Sequence, residues 1–261
     1  MKHGYLTAGA AVAAIALSAG ALSAKTVTIT ITNHQQSGGL YLTPLLTAFH
    51  DGNFDAFNSG ASANAGVELL AEEGDPSGII NANPGVKTAV ITSPGGFAGA
   101  PVIDPGETAT LTIQLDPATE RYFSFLSMVI PSNDNFIGNN NPLAYQLFDA
   151  AGQFTNIGPI NILGSNVWDA GTEVNNGVGA AFNTAGGTGT DEGGVITLQS
   201  DLSFLLGSTT PAGTSVSSVP GARALFATIQ IAAIPLPAAL PIFLGGLGML
   251  GFAAKRRRRN A

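Results

Sequence analysis

The most regular pattern in this chain is an alternation of apolar and polar residues over short stretches. From Val27 to Thr32, Val or Ile alternates with Thr, which predicts a strand with one buried and one wet face. Thr108–Leu115 alternates in the same way, and Tyr122–Ile130 is apolar on both faces, as in a central strand. Four further stretches have strand-like composition: Val86–Thr92, Leu143–Phe148, Val195–Leu198 and Ala224–Ile231. Short strands at this spacing, about eight in all, predict a mainly β protein built as a sandwich.

Two segments depart from the strand pattern. Leu40–Phe49 is apolar but contains Pro44, which predicts an irregular or edge segment because proline cannot donate to a sheet ladder. Ser62–Glu73 predicts one short helix, with Ser62 as its N-cap and Gly74 as its end. No internal repeat and no domain boundary interrupts the central part of the chain.

Two polar stretches carry the candidate chemistry. Pro131–Asn140 places Asp134 directly after the long apolar strand, and Trp168–Asn175 places Asp169 and Glu173 around a glycine. We interpret both stretches as loops at one end of the sandwich that bring the three carboxylates around one hard cation such as calcium, which prefers oxygen ligands. The alternative is a pair of ordinary turns, since Asn, Asp and Gly dominate turns for backbone reasons alone, and composition by itself favours this alternative.

Four segments of the chain resemble the spondin domain, the N-terminal module of F-spondin-type adhesion proteins, which is also widespread in bacteria. The resemblance runs from about Thr26 to Ile231. The segments that carry it are Leu42–His50, Ala71–Asp75, Ser127–Gly138 and Asp169–Asn175.

The resemblance implies a C2-like antiparallel β-sandwich with a bound calcium. The metal carboxylates of the family fall in a Pro-Ser-x-Asp loop and an Asp-Ala-Gly-Thr-Asp loop, which correspond here to Asp134, Asp169 and Glu173. The last position departs from the family, because Glu replaces Asp. Its longer side chain changes the geometry with which the carboxylate would coordinate an ion.

Two other stretches imitate calcium loops. Asp51–Asp55 has the opening of an EF-hand loop, but Ala56 and Ser62 stand where that loop requires Gly and Glu. Gly186–Asp191 fits the start of one RTX nonapeptide, but a single copy cannot form the stacked repeats that bind calcium. Neither stretch is assigned a metal.

Charge narrows the class of partner. The chain has no cysteine, so neither disulfides nor thiolate metal sites are available. Six of its ten basic residues lie near the termini, so residues 25–233 hold four basic against 17 acidic residues, a net charge of −13. Such a surface repels nucleic acid and attracts divalent cations.

The two ends of the chain read as export signals. Residues 1–24 predict a signal peptide, with an apolar stretch followed by small residues at which cleavage would fall after Ala21 or Ala24. At the other end, Ile234–Ala238 precedes an apolar, charge-free run and then a cluster of one Lys and four Arg, which predicts a transmembrane helix with a cytoplasmic end.

This tail, residues 234–261, resembles the VPLPA form of the PEP-CTERM sorting signal, with Ile in place of the leading Val. The resemblance implies processing by an exosortase-type membrane enzyme, a Gram-negative host and release to the cell surface or the extracellular matrix. The alternative is a permanent tail anchor. The sandwich domain is expected to occupy residues 25–233.

The sequence offers little for catalysis. Outside the signal peptide the histidines are His34 and His50, and no G-x-S-x-G, H-E-x-x-H or P-loop motif occurs. We therefore expect an exported, calcium-binding adhesion or binding module, not an enzyme, that contacts extracellular polysaccharide or a surface protein. The alternatives are a carbohydrate-binding or carbohydrate-cleaving protein that uses Trp168 and the same acidic loops, and a purely structural matrix component.

Overall fold

The computed structural model of the protein describes residues 23–93 and 100–235. Within these residues the chain forms eleven strands, two α-helices and two single 3-10 turns. The strands are β1 Lys25–Asn33, β2 Tyr41–Leu42, β3 Leu45–His50, β4 Lys87–Ile91, β5 Thr108–Leu115, β6 Tyr122–Ile130, β7 Asn135–Gly138, β8 Ile160–Leu163, β9 Val167–Asp169, β10 Thr197–Leu198 and β11 Leu225–Ala233. The helices are α1 Ala65–Glu73 and α2 Ser77–Ala82, and the 3-10 turns are Gly164–Asn166 and Ser203–Leu205.

The strands form two antiparallel sheets. One has four strands in the order β5-β1-β11-β8, and the other has seven, in the order β10-β9-β7-β6-β3-β4 with β2 paired to β6. A single apolar core, the inter-sheet core, joins them: Ile29 and Ile31 of the smaller sheet belong to it together with Phe49, Phe123 and Val167 of the larger sheet. The predicted mainly β architecture is confirmed, and the arrangement is consistent with the predicted sandwich.

The outer face of the smaller sheet is polar, as the alternation in β1 predicts. Thr28, Thr30 and Thr32 lie opposite three threonines of β5, and the hydroxyl oxygens of the pairs are 3.0–3.3 Å apart. The Val and Ile residues between them are fully buried. One sequence pattern therefore fixes both faces of this strand.

The second face of the larger sheet is covered by the helices. Phe136 and Trp168 of the sheet pack with Val67 and Leu70 of α1 in a second apolar cluster, the helix-side core. The larger sheet is thus buried on both faces, which explains why β6 carries no polar alternation.

Helix α1 begins three residues later than the sequence predicts. Its N-cap is Asn64, whose side-chain oxygen accepts hydrogen bonds from the backbone N–H groups of Gly66 and Val67, each at 3.0 Å. The predicted cap, Ser62, lies outside the helix. The predicted end is confirmed, because Gly74 adopts a left-handed conformation with φ of 68°.

The prediction of an irregular or edge segment at Leu40–Phe49 is confirmed only at Thr43 and Pro44, where the strand is interrupted, and is wrong for Leu45–Phe49, which lies inside the larger sheet. β2 and β3 both pair with the central strand β6, and β3 lies between β6 and β4. Pro44 falls in the break between the two strands. Hydrogen bonding to β6 continues across this break, because the Thr43 hydroxyl accepts a hydrogen bond from the N–H of Met128 at 2.9 Å.

The prediction of a strand at Leu143–Phe148 is also wrong. Its first residues form a turn, in which Asn141 accepts the N–H of Leu143 through its side chain. The rest runs irregularly beside the start of β6 and forms two isolated bridges, Tyr122 with Gln146 and Phe148 with Phe154. Apolar residues here serve the inter-sheet core, in which Leu147 and Phe148 are buried, without ladder pairing.

The two stretches that we interpreted as loops contain short strands. Asn135–Gly138 is β7 and Val167–Asp169 is β9, and the two are direct antiparallel neighbours. β8, at Ile160–Leu163, was not predicted either. The chain passes from β8 in the smaller sheet to β9 in the larger one through the 3-10 turn Gly164–Asn166.

The predicted export signals lie outside the described residues, except for residues 23, 24, 234 and 235 at their inner ends. The transmembrane helix predicted in residues 234–261 therefore lies outside the described residues, apart from residues 234 and 235. Among the described residues, no helix has the length and hydropathy needed to cross a membrane.

Candidate metal centre

Antiparallel pairing of β7 with β9 brings the two acidic stretches together. Asn135, the first residue of β7, is paired with Asp169, the last residue of β9. Asp134 immediately precedes β7, and its backbone oxygen accepts the N–H of Ala170 at 3.3 Å. The predicted proximity of Asp134 and Asp169 therefore follows from the register of one strand pair.

Asp134 is fully buried and accepts hydrogen bonds at both carboxylate oxygens. Its Oδ2 accepts the backbone N–H groups of Thr172, at 2.9 Å, and Glu173, at 3.1 Å, and lies 3.3 Å from the Thr172 hydroxyl. Its Oδ1 accepts from the side-chain amide of Asn175 at 2.9 Å. The carboxylate thus holds the loop after β9 against the start of β7.

The turn after Asp169 depends on glycine. Gly171 has a φ of 68°, and a Cβ there would lie 2.7 Å from the backbone nitrogen of Val195. Its N–H donates to Asp169 Oδ1 at 2.7 Å, which closes a local turn. This turn places the backbone N–H groups of Thr172 and Glu173 within hydrogen-bonding distance of Asp134.

Asp169 is half-buried beside another carboxylate. Its Oδ2 accepts from the Asn175 amide at 3.0 Å. Burial raises the pKa of Asp169 to about 6, with the neighbouring charge of Asp134 as the next cause and Glu192 as a smaller one, while the hydrogen bonds from Gly171 and Asn175 oppose the rise. Negative charge at this edge of the sheet is therefore incompletely compensated by the protein itself.

Two amide oxygens beside these carboxylates lack hydrogen-bond partners. Asn175 uses its NH₂ group for both carboxylates, and its Oδ1 is buried without a partner among the described residues. Asn135 is fully buried, donates its amide to the Trp168 carbonyl at 3.3 Å, and leaves its own Oδ1 likewise unpartnered. Unpaired buried oxygens are costly, and amide oxygens are suitable ligands for calcium.

Glu173 is placed differently from the two aspartates. Its backbone N–H binds Asp134, whereas its carboxylate accepts from the side-chain amide of Asn133 at 3.2 Å. The carboxylate also lies against Gly189, where an added Cβ would collide with it. The glycine-rich segment that imitates an RTX repeat is therefore packed along Glu173, with an isolated bridge between Glu173 and Asp191.

Asn133 is the second tie between the two stretches. Its Oδ1 accepts the N–H groups of Asn176 and Gly177 at 3.2 and 2.7 Å, and its amide donates to the Val178 carbonyl at 3.0 Å. The side chain is fully buried. The Pro131–Asn140 and Trp168–Asn175 stretches are consequently joined by protein hydrogen bonds.

Glu72 of α1 is a nearby acid that sequence reasoning did not assign to the site. Burial raises its pKa, a hydrogen bond with Thr172 opposes the rise, and the charges of Glu173, Glu68 and Asp134 add to it. The Ala71–Asp75 segment carries part of the spondin resemblance, but helical spacing alone does not show that Glu72 faces these loops.

The arrangement has a limit as a metal centre. Within residues 23–93 and 100–235, no group of three or more His, Cys, Asp or Glu side chains is gathered closely enough to hold a metal ion. The donors that fit a hard cation are the carboxylates of Asp134 and Asp169 together with the amide oxygens of Asn135 and Asn175. The assignment of Glu173 as a ligand stays a prediction.

The EF-hand imitation is a surface turn. Asp51 accepts hydrogen bonds from the backbone and the side chain of Asn53, each at 3.0 Å, and Asp55 accepts the amide of Asn58 at 2.8 Å. These bonds occupy the carboxylates locally.

The two histidines of the described chain are both hydrogen-bonded. His50 is buried, accepts the Gly52 N–H at Nδ1 (3.1 Å) and contacts the Ser124 hydroxyl through Nε2 (3.1 Å), so Nε2 carries the proton. His34 Nε2 lies 2.8 Å from the Thr228 hydroxyl. These contacts give both side chains a structural role.

Comparison with known families agrees with the resemblance noted in the sequence. The model of the Spondin_N family, the spondin N-terminal domain, matches residues 33–188, which is more than half of the chain. The matched stretch runs from the end of β1 through the loop after β9 and includes Asp134, Asp169 and Glu173. It is shorter than the resemblance from Thr26 to Ile231. No curated protein matches the chain.

Proposed function

Because the chain belongs to the spondin N-terminal domain family, we propose that it is an exported, calcium-binding module of the cell surface or extracellular matrix. The family is one of extracellular adhesion and binding modules, which supports the general class. In this proposal the protein binds extracellular polysaccharide or a surface protein and catalyses no reaction.

The calcium proposal rests on one observation: two carboxylates and two unpartnered amide oxygens lie at the same edge of the β7–β9 pair. The Asn175 amide bridges the carboxylates through its NH₂ group. Oxygen and nitrogen of an amide occupy equivalent positions, so a half-turn of this group presents oxygen where nitrogen now lies. Calcium would supply the positive charge that this edge lacks, held by Asp134 and Asp169 with Asn135, Asn175 and the predicted Glu173.

The ion has a structural role in this proposal. It would join the loop after β9 to the start of β7, at the place where Asp134 and Asn133 already bind the loop by hydrogen bonds. Glycine-rich loops lose much backbone entropy when they are ordered, and the chain has no cysteine to offset that loss with disulfides.

The absence of a catalytic role is part of the proposal. A general base must be able to reach its substrate. The carboxylate of Asp134 is fully buried and already accepts hydrogen bonds at both oxygens, and His50 is buried between Gly52 and Ser124. These contacts favour a scaffold role for the most conspicuous polar side chains.

The export route is proposed from the terminal sequences. The signal peptide of residues 1–24 directs the chain across the inner membrane, and the tail of residues 234–261 holds it there until an exosortase-type enzyme removes the helix. A Gram-negative host and a location at the cell surface or in the matrix follow. Mass spectrometry of protein from the native host is expected to find a C-terminus near Pro235–Ala238. Recovery of membrane-bound protein with an intact Arg259 would favour the tail anchor.

Thermal unfolding with and without calcium tests the metal. An ion that binds only the folded state stabilises it by about 2.7 kcal/mol at a concentration 100 times its Kd. The melting temperature is expected to rise with calcium concentration in the wild type and to rise far less in Asp169→Asn. Asp191→Asn, a change at an exposed acid of the neighbouring loop, serves as the matched control. Identical wild-type melting curves in calcium and in EDTA would eliminate the calcium proposal.

A further inference from the structure

A small pocket lies at the corner where the chain crosses from one sheet to the other. It has a volume of about 180 Å³ and is lined by the backbone and side chains of β8, by Asn166 of the 3-10 turn, and by Trp168 and Tyr145. We call it the corner pocket. Among the described strands β8 pairs only with β11, so its other edge has no ladder partner there.

The corner pocket is uncharged in a strongly acidic domain. None of the eight residues that line it carries a charge, whereas residues 25–233 have a net charge of −13. Phosphates, carboxylates and ammonium groups therefore find no oppositely charged partner in it. A neutral ligand avoids the desolvation cost that a charged ligand would meet here.

The polar groups of the corner pocket are hydrogen-bonding groups suited to hydroxyls. Asn166 accepts the Leu163 N–H at 2.9 Å through its oxygen, which leaves its NH₂ group without a hydrogen bond among the described residues. Asn161 lies on the exposed side of β8, and its oxygen is 3.5 Å from the Thr228 hydroxyl. Tyr145 is half-buried, and burial raises the pKa of its phenol, which keeps it a neutral donor.

The apolar wall of the corner pocket is aromatic and fixed in place. The Trp168 indole N–H donates to the Gly138 carbonyl at 3.0 Å, and Phe57 packs edge-on against the ring with centroids 5.2 Å apart. Phe125 lies 6.2 Å from Tyr145, centroid to centroid. Trp168 is only 9% exposed and belongs to the helix-side core, so the half-buried Tyr145 is the lining ring with surface to pack against the C–H face of a sugar ring.

We propose that the corner pocket binds one ring of a neutral sugar within an extracellular glycan. This inference rests on the proposed function, since it names the ligand of the exported binding module. Drug-sized ligands use pockets of about 300–1,000 Å³, so this smaller pocket suits a single ring. The site is distinct from the acidic loops, because the pocket opens beside Gly138 at the end of β7, whereas Asp134 precedes the start of that strand.

Trp168 provides a direct test, since it is the only tryptophan in the chain. The protein is expressed from the full sequence and purified in the form that the cell produces. It is titrated with glucose, galactose, mannose and N-acetylglucosamine while tryptophan emission is followed. At least one of these sugars is expected to change the emission with a Kd on the order of 1 mM, as befits a ligand of this size. Sorbitol, an open-chain polyol, is expected to change nothing.

Two conservative variants locate the site. Tyr145→Phe removes one hydroxyl and Asn161→Ala one exposed amide, and each is expected to weaken binding by about 3- to 10-fold, the loss of a single hydrogen bond. Gln230→Ala removes an exposed amide from the neighbouring strand β11, away from the pocket, and is expected to bind as the wild type does. Saturation-transfer NMR with the same sugars confirms binding independently of emission.

Each outcome decides one proposal. If none of the four sugars alters the emission or shows saturation transfer, or if both pocket variants bind as the wild type does, the corner pocket is not a sugar site. Trp168 directly precedes Asp169, a proposed calcium ligand, so calcium can change the tryptophan emission without any sugar. The titrations are therefore made both in calcium and in EDTA. Sugar binding without any calcium effect on melting would remove only the calcium proposal, and the reverse result would remove only this one.

Discussion

Asp134 and Asp169 share a single amide group. Nδ2 of Asn175 donates to Oδ1 of Asp134 at 2.9 Å and to Oδ2 of Asp169 at 3.0 Å. A neutral NH₂ group satisfies both oxygens but cancels neither charge, so the two carboxylates still repel one another. This pair therefore controls how the local stability responds to mutation, to pH and to cations.

Asp134→Ala is expected to destabilise the calcium-free protein strongly. The change leaves the backbone N–H groups of Thr172 and Glu173 without their acceptor, and each buried unsatisfied group costs about 1–3 kcal/mol. We expect a loss of roughly 3 kcal/mol in the free energy of unfolding, measured by urea denaturation in EDTA. Asp191→Ala, at an exposed acid, should stay within about 0.5 kcal/mol of the wild type. Equal losses would mean that Asp134 does not anchor the loop.

Acidification is expected to stabilise the calcium-free protein through Asp169. Its pKa rises from 3.8 to about 6 on folding, so the stability linked to it is present at low pH and is lost as the pH rises through about 6. Wild-type protein in EDTA should therefore lose stability relative to Asp169→Asn between about pH 4 and about pH 6, the interval between the two pKa values. Burial raises the pKa of Glu72 and acts in the same direction.

Calcium should reverse this dependence. The ion binds the ionised carboxylates, so the stabilisation that it gives should increase from about pH 5 to pH 7. Thermal melts at several pH values, with calcium and with EDTA, measure both trends. A pH profile that is the same for the wild type and Asp169→Asn in EDTA would contradict the role given to this carboxylate.

The long elements of the fold can be predicted from sequence because their patterns repeat. Thr108–Leu115 and Tyr122–Ile130 form strands with the predicted bounds, since eight or nine residues show clearly whether polarity alternates. β7 and β9 have four and three residues, too few for any period to appear. Their Asn, Asp and Gly residues also imitate turns, so both were interpreted as loops.

The candidate site divides in the same way. The nearness of Asp134 to Asp169 could be predicted, because both lie in acidic, Asn- and Gly-rich stretches interpreted as loops at one end of the sandwich, and the spondin resemblance implies that both belong to one metal site. The amide oxygens of Asn135 and Asn175 could not, because their hydrogen bonding depends on side-chain orientation within the packed loops. Glu72 was missed because it belongs to α1, a separate element that packs on the larger sheet through the helix-side core.

The corrected helix N-cap gives a matched pair of variants. Asn64→Ala removes the acceptor of the Gly66 and Val67 N–H groups and should cost about 1–2 kcal/mol. Ser62→Ala changes an exposed hydroxyl outside the helix and should change the free energy of unfolding by less than about 0.5 kcal/mol. Chemical denaturation of both variants measures the difference. A larger loss for the serine variant would restore the cap predicted from sequence.

His50 should oppose acidification. Burial lowers its pKa below 6.5, while the carboxylates of Asp51 and Asp55 partly offset this, and the rings of Phe54 and Tyr122 enclose it. Its contribution to stability is present above pH 6.5 and is lost as the pH falls through the lowered folded pKa.

The variant His50→Gln keeps a polar side chain that does not titrate. The wild type should lose more stability than this variant between about pH 7 and pH 5, and the contribution of Asp169 cancels in the comparison because both proteins contain it. Urea denaturation at each pH gives the two curves. Parallel curves would show that His50 keeps an ordinary pKa in the folded protein.

Removal of calcium should loosen the two joined stretches without unfolding the sheet that carries them. Local stability follows the contacts of each segment, and the loop after β9 depends on Asp134, Asn133 and the proposed ion, whereas β6 is paired on both sides and nearly fully buried. Amide hydrogen exchange should therefore accelerate in residues 131–140 and 170–178 when EDTA replaces calcium, with β6 still protected. Asp169→Asn should show little difference in exchange between calcium and EDTA. If the ion were catalytic, its removal would leave the protection of the loops unchanged and would abolish turnover of a substrate. That result would overturn the structural role given to calcium.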